Sequence, residues 1–314
     1  MEFKRLKQKA KALMPDRVMY AWRIIQVFPS YIDAIRKKSQ LEVPNIRFYS
    51  DRETVDFIIN KRYSLSRFGD GEFQWMSGEG KAAFQSSSDE LSIRLKEVFM
   101  TQTEKLLIGI PKGVFDSSKN NLYSKLYWRT IREDYLSRLL KFLNTDMKYA
   151  DASITRPYID YHSRTESKER FDNLRRIWDK RHIVIVEGKG TRLGVGNDLF
   201  SNASKIERII CPSTDAFFKL QKIEDSISRL VLKDTIILAA LGPTATILAY
   251  DMCKIGYQVV DIGHIDVEYV WYLRHDLYRK PIEGKSVNES GSLDYNENFE
   301  CGQEYRNSII ATIE

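Results

Sequence analysis

Four short, apolar-rich runs punctuate the second half of the chain, at residues 183–186, 206–210, 236–240 and 257–262. A strand that stays apolar at consecutive positions, as in Ile183-Val184-Ile185-Val186, has no face to offer to water and must be covered on both sides. Helical segments separate the runs. One spans about 215–230, and another opens at Gly242-Pro243-Thr244 and continues to about Lys254, with Gly256 placed as its C-cap. Apolar strands alternating with helices specify an α/β architecture, a Rossmann-like, mainly parallel sheet with helices on both faces. The first half fits the same frame. Residues 54–60 read as a short helix, 64–68 as extended and 91–100 as an amphipathic helix. Residues 106–110 read as a buried strand ended by Pro111, with longer helices at about 121–143 and 163–178.

The 314 residues suffice for one large domain or two smaller ones, and 43% apolar with 29% charged residues is a globular composition rather than a disordered one. The charge is unevenly spread. Residues 1–40 carry ten Lys/Arg against three acids, a local excess of +7, while the whole chain carries +6. The main domain therefore has no basic excess and no nucleic acid is expected as a partner. The basic excess sits in a helical N-terminal extension, which suits a peripheral contact with an anionic membrane, or packing on the domain or on a second copy of the chain as a homo-oligomer. The nearest approach to a spanning segment, residues 18–32, is broken by Arg23, Gln26, Pro29 and Ser30. Cys211, Cys253 and Cys301 are odd in number and far apart, so the expected location is the cytoplasm, peripheral on the inner membrane surface where the extension binds lipid.

Ligands of parallel sheets bind beyond the carboxyl ends of the strands, and five motifs fall at such ends. Arg67-Phe68-Gly69-Asp70-Gly71-Glu72 carries two carboxylates two residues apart. If the segment stays extended, they point to one side and suit a hard divalent cation, although Asp-Gly also suits an ordinary turn. The Gly-rich stretch from Glu187 through Arg192, Gly194 and Asn197 to Asp198 follows a strand and offers backbone N–H groups, with Arg192 as a phosphate contact. It matches neither the dinucleotide fingerprint nor a P-loop. Gly242-Pro243-Thr244 places a helix start at the same crevice, where capping alone is the competing explanation. Asp261-Ile262-Gly263-His264 with Asp266 and Glu268 gathers groups suited to a general base or metal ligand. Thr155-Arg156-Pro157-Tyr158 adds a cation for phosphate and a ring for stacking on a base or sugar.

Together these motifs resemble the GT-D fold glycosyltransferases, a bacterial family first catalogued as a domain of unknown function. The resemblance rests on Arg67 to Glu72 as an Asp-x-Glu motif, supported in order by Arg192 to Asp198, Leu241 to Thr244, and Asp261 to His264 with Glu268. It spans about 50–275. It implies a metal-dependent glycosyltransferase that moves a sugar from a UDP-sugar donor to a glycan acceptor on a protein or lipid carrier. It also implies Mn²⁺ or Mg²⁺ at Asp70 and Glu72. Donor-binding residues would be Arg67, Phe68, Gly69, Arg156, Arg192, Gly194, Asn197, Gly242 and Thr244, and catalytic groups Asp70, Glu72, His264 and Glu268. Domain boundaries follow at 1–45 for the extension, 46–280 for the catalytic domain and 281–314 for a C-terminal tail. The competing readings are a nucleotide-binding, membrane-associated scaffold without turnover, and a different metal-dependent enzyme acting on phosphate esters.

Overall fold

The computed structural model describes residues 15–36, 42–80, 84–287 and 299–314. Helix α1 (Asp16–Arg36) precedes a domain built in the order β1 (Arg47–Phe48), α2 (Asp51–Asn60), β2 (Ser64–Arg67), α3 (Asp70–Met76), α4 (Asp89–Met100), β3 (Leu106–Ile110), α5 (Leu122–Leu139), β4 (Lys148–Asp151) and α6 (Arg164–Arg175). It continues with β5 (His182–Gly188), β6 (Lys205–Cys211), α7 (Leu220–Leu230), β7 (Ile236–Ala240), α8 (Pro243–Lys254), β8 (Gln258–Asp261), α9 (Ile265–Arg274), α10 (Gly302–Ser308) and β9 (Ile309–Thr312). The nine strands form one sheet in the order β1-β4-β3-β2-β8-β7-β5-β6-β9. Every pairing among the described residues is parallel, so all strand carboxyl ends lie along one edge.

The apolar runs are explained by what covers them. Ile183, Ile185, Ile236, Leu238 and Val260 face one layer with Val55, Ile58, Phe171 and Trp271. The alternate residues Val184, Val186, Ile237, Ala239 and Val259 face the other layer with Ile223, Ile227, Leu248 and Met252. At about 25 cal/mol for each Å² of apolar surface removed from water, these two layers are the main source of stability. Under the β2–β3 half, Phe68, Phe73, Phe99 and Tyr149 make a third cluster with α4 and α5.

Several helix starts follow directly from their caps. Ser50 accepts from Glu53 N at 3.2 Å while Glu53 accepts from Ser50 N at 2.7 Å, a reciprocal pair that fixes the first turn of α2. Asn121 and Ser163 cap α5 and α6 one-sidedly, each side chain accepting from a backbone N–H of the first turn.

One boundary differs from those read in the sequence. Within the extension, Asp16–Arg36 is helical, as expected, and it packs on the domain, one of the alternatives read there; residues 1–14 and 37–41 lie outside the described residues. Tyr20 donates to Asn121 Oδ1 at 3.2 Å, Lys280 pairs with Asp16 at 2.7 Å and Arg23 lies 5.2 Å from the Tyr278 ring. The region 281–314 is not a separate tail: β9 adds to the sheet beside β6, and Gly284, Lys285 and Tyr305 bond to the Gly-rich loop or its support.

Candidate active site

The polypeptide leaves β2 at Arg67 and turns at once into α3, so Asp70 occupies the first helical position at the carboxyl edge of the sheet. The extended geometry expected for Asp70 and Glu72 is therefore replaced by a helical one. Glu72 turns back and accepts from Gly69 N at 2.8 Å, serving the amino end of the helix. Burial, reinforced by the Asp261 and Asp70 carboxylates, pushes Glu72 up to about 7. Asp70 stays exposed and accepts from the Tyr127 hydroxyl at 2.8 Å. Burial and that carboxylate drive the Tyr127 phenol well above its usual range, so it remains a donor.

Asp70 opens into a cavity of about 170 Å³ shared with Tyr127, Trp128, Arg156, Asp160 and Arg279. Asp160 is fixed by Ser124 Oγ at 2.9 Å and by Arg279 at 3.4 Å. Asp70 and Arg156, chosen from separate motifs, thus meet in one place. Tyr127, Asp160 and Arg279 were not found in the sequence. Tyr127 sits within a helix and meets Asp70 only through tertiary packing across 57 residues.

A second, narrower cavity of about 40 Å³ lies over β6, β5 and β7 and is lined by Gly188, Lys189, Thr191, Ser213, Gly242 and His264, among others. The chain passes from β5 outward to β6, then crosses back to β7 on the other side of β5. That reversal creates the crevice in which open α/β sheets bind ligands. Gly242 has φ +56° with ψ −138°, and a Cβ there would come within 2.6 Å of Phe84, so only glycine fits.

Family comparison decides the class. The model of the glycosyltransferase GT-D fold matches residues 65–290. The chain belongs to the GT-D fold glycosyltransferase family. It is 35% identical over 83% of its length to glycosyltransferase GlyD of Streptococcus pneumoniae, and 33% identical over 95% to a probable glycosyl transferase, Gly, of Streptococcus gordonii. It spans 32% and 44% of those relatives' own lengths. A solved structure of the conserved domain of unknown function 1792, described as a distinct glycosyltransferase fold, superposes with TM-score 0.78 at 31% identity, covering 92% of this chain and all of that one. A glycosyltransferase of the same domain type from Streptococcus sanguinis gives TM-score 0.78 at 32% identity, covering 86% of this chain and 100% of its own.

Within this GT-D domain, several residues expected at the ligand serve the fold instead. Arg67 is spent on the protein: Nη2 pairs with Asp261 at 2.8 Å, Nε donates to Asp261 O at 2.9 Å and Nη1 to Ala152 O at 3.1 Å. It ties β2 to the ends of β8 and β4. Phe68 is fully buried against Phe73 and Phe99, and Gly69 is the cap residue of α3. Glu268, expected as a catalytic group, is buried and accepts from Tyr158 N at 3.2 Å and Ile159 N at 2.9 Å, anchoring the segment that carries Arg156. Tyr158 packs against Tyr272 and presents no stacking surface. Thr244 is fully buried, and its hydroxyl has no hydrogen-bond partner among the described residues.

The Gly-rich loop also folds differently from a phosphate cradle at its distal half. Arg192 is buried at φ +52°, donates to Gly284 O at 2.5 Å and lies 5.3 Å from the Phe299 ring. Gly194 N and Asn197 Nδ2 both donate to Asp266 Oδ1, at 2.9 and 2.6 Å, and Lys285 pairs with the other oxygen. Gly194 and Asn197 line a different groove, with Arg208 and Tyr305. Only the proximal residues Gly188, Lys189 and Thr191 reach the His264 cavity.

The donor set tests the expected metal. Among the described residues no three His, Cys, Asp or Glu side chains gather into a cation site. Asp70 fits as a ligand, being an exposed carboxylate at a strand end, whereas Glu72 is turned to Gly69. A site with one carboxylate and substrate phosphates is the usual way an Mg²⁺-type ion is held.

Proposed function

We propose that the protein transfers a sugar from a UDP-linked donor to a hydroxyl of a glycan acceptor on a protein or lipid carrier, using Mn²⁺ or Mg²⁺ held at Asp70. The observation that carries this reading is the run of two cavities along one sheet edge, with Asp70, Arg156 and Arg279 at one end and Lys189 and His264 at the other. The nucleotide lies at the β5–β7 crevice, the diphosphate runs toward Asp70 and the sugar enters the Asp70–Asp160 cavity. The anomeric C–O bond breaks with its electron pair going to UDP, the acceptor oxygen bonds to the anomeric carbon and the acceptor proton passes to a carboxylate of the Asp70–Asp160 cavity. Charge therefore grows on the diphosphate in the transition state, and fixed cations there lower the barrier. Lys189 and Arg156 are the cations so placed. An ion held at Asp70 would supply Lewis-acid stabilisation of the leaving phosphate. Tyr127 orients Asp70 by its hydrogen bond.

A panel of UDP-sugars, read by UDP release, tests this directly. One donor should release UDP with Mn²⁺ or Mg²⁺ present, and a chelator should stop it. No release from any UDP-sugar, or release indifferent to chelator, rejects the reading.

The same reading places the protein against an anionic membrane surface through α1. Its inner face packs on the domain and buries Met19. Its outer face carries Val18, Ile25, Phe28 and Ile35, exposed by 52, 66, 49 and 45% and spaced by seven, three and seven residues. The segment 1–40 adds its +7 charge, and each cation near an anionic surface contributes up to about 1 kcal/mol. No helix among the described residues is long and apolar enough to cross a membrane. The full chain should sediment with phosphatidylglycerol vesicles but not neutral ones, high salt should release it, and the paired change Ile25→Ser with Phe28→Ser should weaken binding severalfold. Equal sedimentation with neutral vesicles, or none with either, overturns this. A dimer that the same paired change dissociates reassigns the face to a second copy.

A further inference from the structure

The geometry points to the polar groove beyond the Asp70 cavity as the seat of the acceptor sugar. This inference rests on the transferase reading above. The groove holds about 870 Å³ and is lined by Tyr49, Lys112, Asn120, Asp151, Tyr161 and Arg170, with further charged residues at its rim. Tyr49 follows β1, Lys112 follows β3 and Asp151 ends β4, so the groove lies along the same carboxyl edge as the two donor cavities. In sheet order the sequence of sites is the His264 cavity, the Asp70 cavity and then this groove.

One short segment forms a wall of both the Asp70 cavity and the groove. Asp160 faces the cavity, and its neighbour Tyr161 lines the groove. The Asp160 carbonyl accepts from Asn121 N at 2.8 Å and from Asn120 Nδ2 at 3.4 Å, so the wall is fixed. Both groove tyrosines are held by cations: Arg170 lies 3.6 Å from the Tyr161 ring and Lys148 4.4 Å from the Tyr49 ring.

The lining chemistry selects a neutral, hydroxyl-rich ligand. Lys112, Lys119 and Arg170 alternate with Asp51, Asp116 and Asp151, giving no single sign of charge to attract a polyphosphate or a lipid surface. Interleaved donors and acceptors match sugar hydroxyls, which both donate and accept, and tyrosine rings offer apolar area to the C–H faces of a sugar. The groove has several times the volume of the Asp70 cavity, so it accommodates an oligosaccharide or a glycosylated side chain rather than one monosaccharide. The groove lined by Gly194, Arg208 and Tyr305 is comparably large, at about 990 Å³, but it extends to residues 203–206 at the amino end of β6. It therefore leads away from the reacting edge.

The test uses saturation-transfer NMR on the full chain without donor, with p-nitrophenyl β-glycosides of glucose, galactose, N-acetylglucosamine and their β-linked disaccharides. UDP release from the donor alone is measured in parallel. At least one glycoside should bind the wild type. Tyr49→Ser and Lys119→Ala should weaken it about tenfold, as expected for loss of one good contact, while donor hydrolysis stays unchanged. Tyr161→Phe preserves the packing against Arg170 and should weaken glycoside binding by removing only the hydroxyl. No glycoside binding to the wild type, or binding unchanged in all three variants, overturns the inference. Glycoside binding without any UDP release would instead sink the transferase reading and leave the groove as a glycan site.

Discussion

Asp70→Asn should reduce metal-dependent UDP release by about two to three orders of magnitude while leaving the melting temperature within about a degree of wild type. The side chain is exposed and makes one hydrogen bond, to Tyr127, which an asparagine oxygen can still accept. The fold therefore loses little. On the proposed mechanism the reaction would lose the negative charge that holds the cation, and Lewis-acid stabilisation of a leaving phosphate amounts to several kcal/mol, which converts to that factor in rate. Steady-state UDP release across a metal titration is the measurement. If saturating Mn²⁺ or Mg²⁺ restores wild-type turnover, the role of Asp70 is in affinity alone. If turnover is unchanged at every metal concentration, Asp70 is not at the reacting centre. Glu72→Gln provides the contrast, since glutamine at that position can still accept from Gly69 N and keep the helix start.

The largest loss of stability should come from Glu187→Ala, about 3–5 kcal/mol in denaturant unfolding, because it strands a buried cation. Glu187 is fully buried at the end of β5. One oxygen pairs with Arg208 at 2.7 Å and the other accepts from Leu193 N at 2.7 Å. Arg208 also donates to Leu193 O at 2.8 Å and lies 4.6 Å from the Tyr305 ring. The cluster thus joins the Gly-rich loop, β6 and α10. Burial outweighs the Arg208 attraction and holds the Glu187 carboxyl above its usual range, so the pair is costly to assemble and costlier to halve. Replacing both members, with Glu187→Leu and Arg208→Met, should recover most of the loss, since no unpaired charge is left. A single variant that loses less than about 1 kcal/mol would mean that water enters and solvates Arg208.

The sheet was legible because its strands are covered on both faces. Residues 183–186 and 236–240 are apolar at consecutive positions, and the structure assigns alternate residues to opposite layers. The helix starts read at about 121, at about 163 and at Gly242 fall on the observed N-cap residues. The site was legible only in part. Asp70 and Arg156, read from separate motifs, line one cavity, but Glu72, three positions after Gly69, reads equally as a capping glutamate, and the helix made that its role. Arg67 and Arg192 show the general difficulty. A guanidinium that satisfies a diphosphate also satisfies a buried carbonyl or carboxylate, and only the fold decides which one it meets. Lys285 and Tyr305 escaped notice because the sequence reading ended the domain at residue 280, and Arg279, just inside that limit, because it belongs to none of the motifs. Their partners lie between 18 and 120 positions upstream, beyond the reach of any spacing rule.

The interior strand β2 has a partner that is made late. Leu65 of β2 pairs with Val260 of β8, so one side of β2 stays unpaired until nearly two hundred further residues have been synthesised. Loop closure over that distance must precede the pairing, and sheets assembled from such distant strands fold slowly. A nascent chain that has emerged only through β4 presents β2 as an open edge in a half-built sheet, the kind of surface that recruits other chains. Slowing translation between β4 and β8 should therefore lower the soluble yield, and chaperones that shield extended segments should restore it.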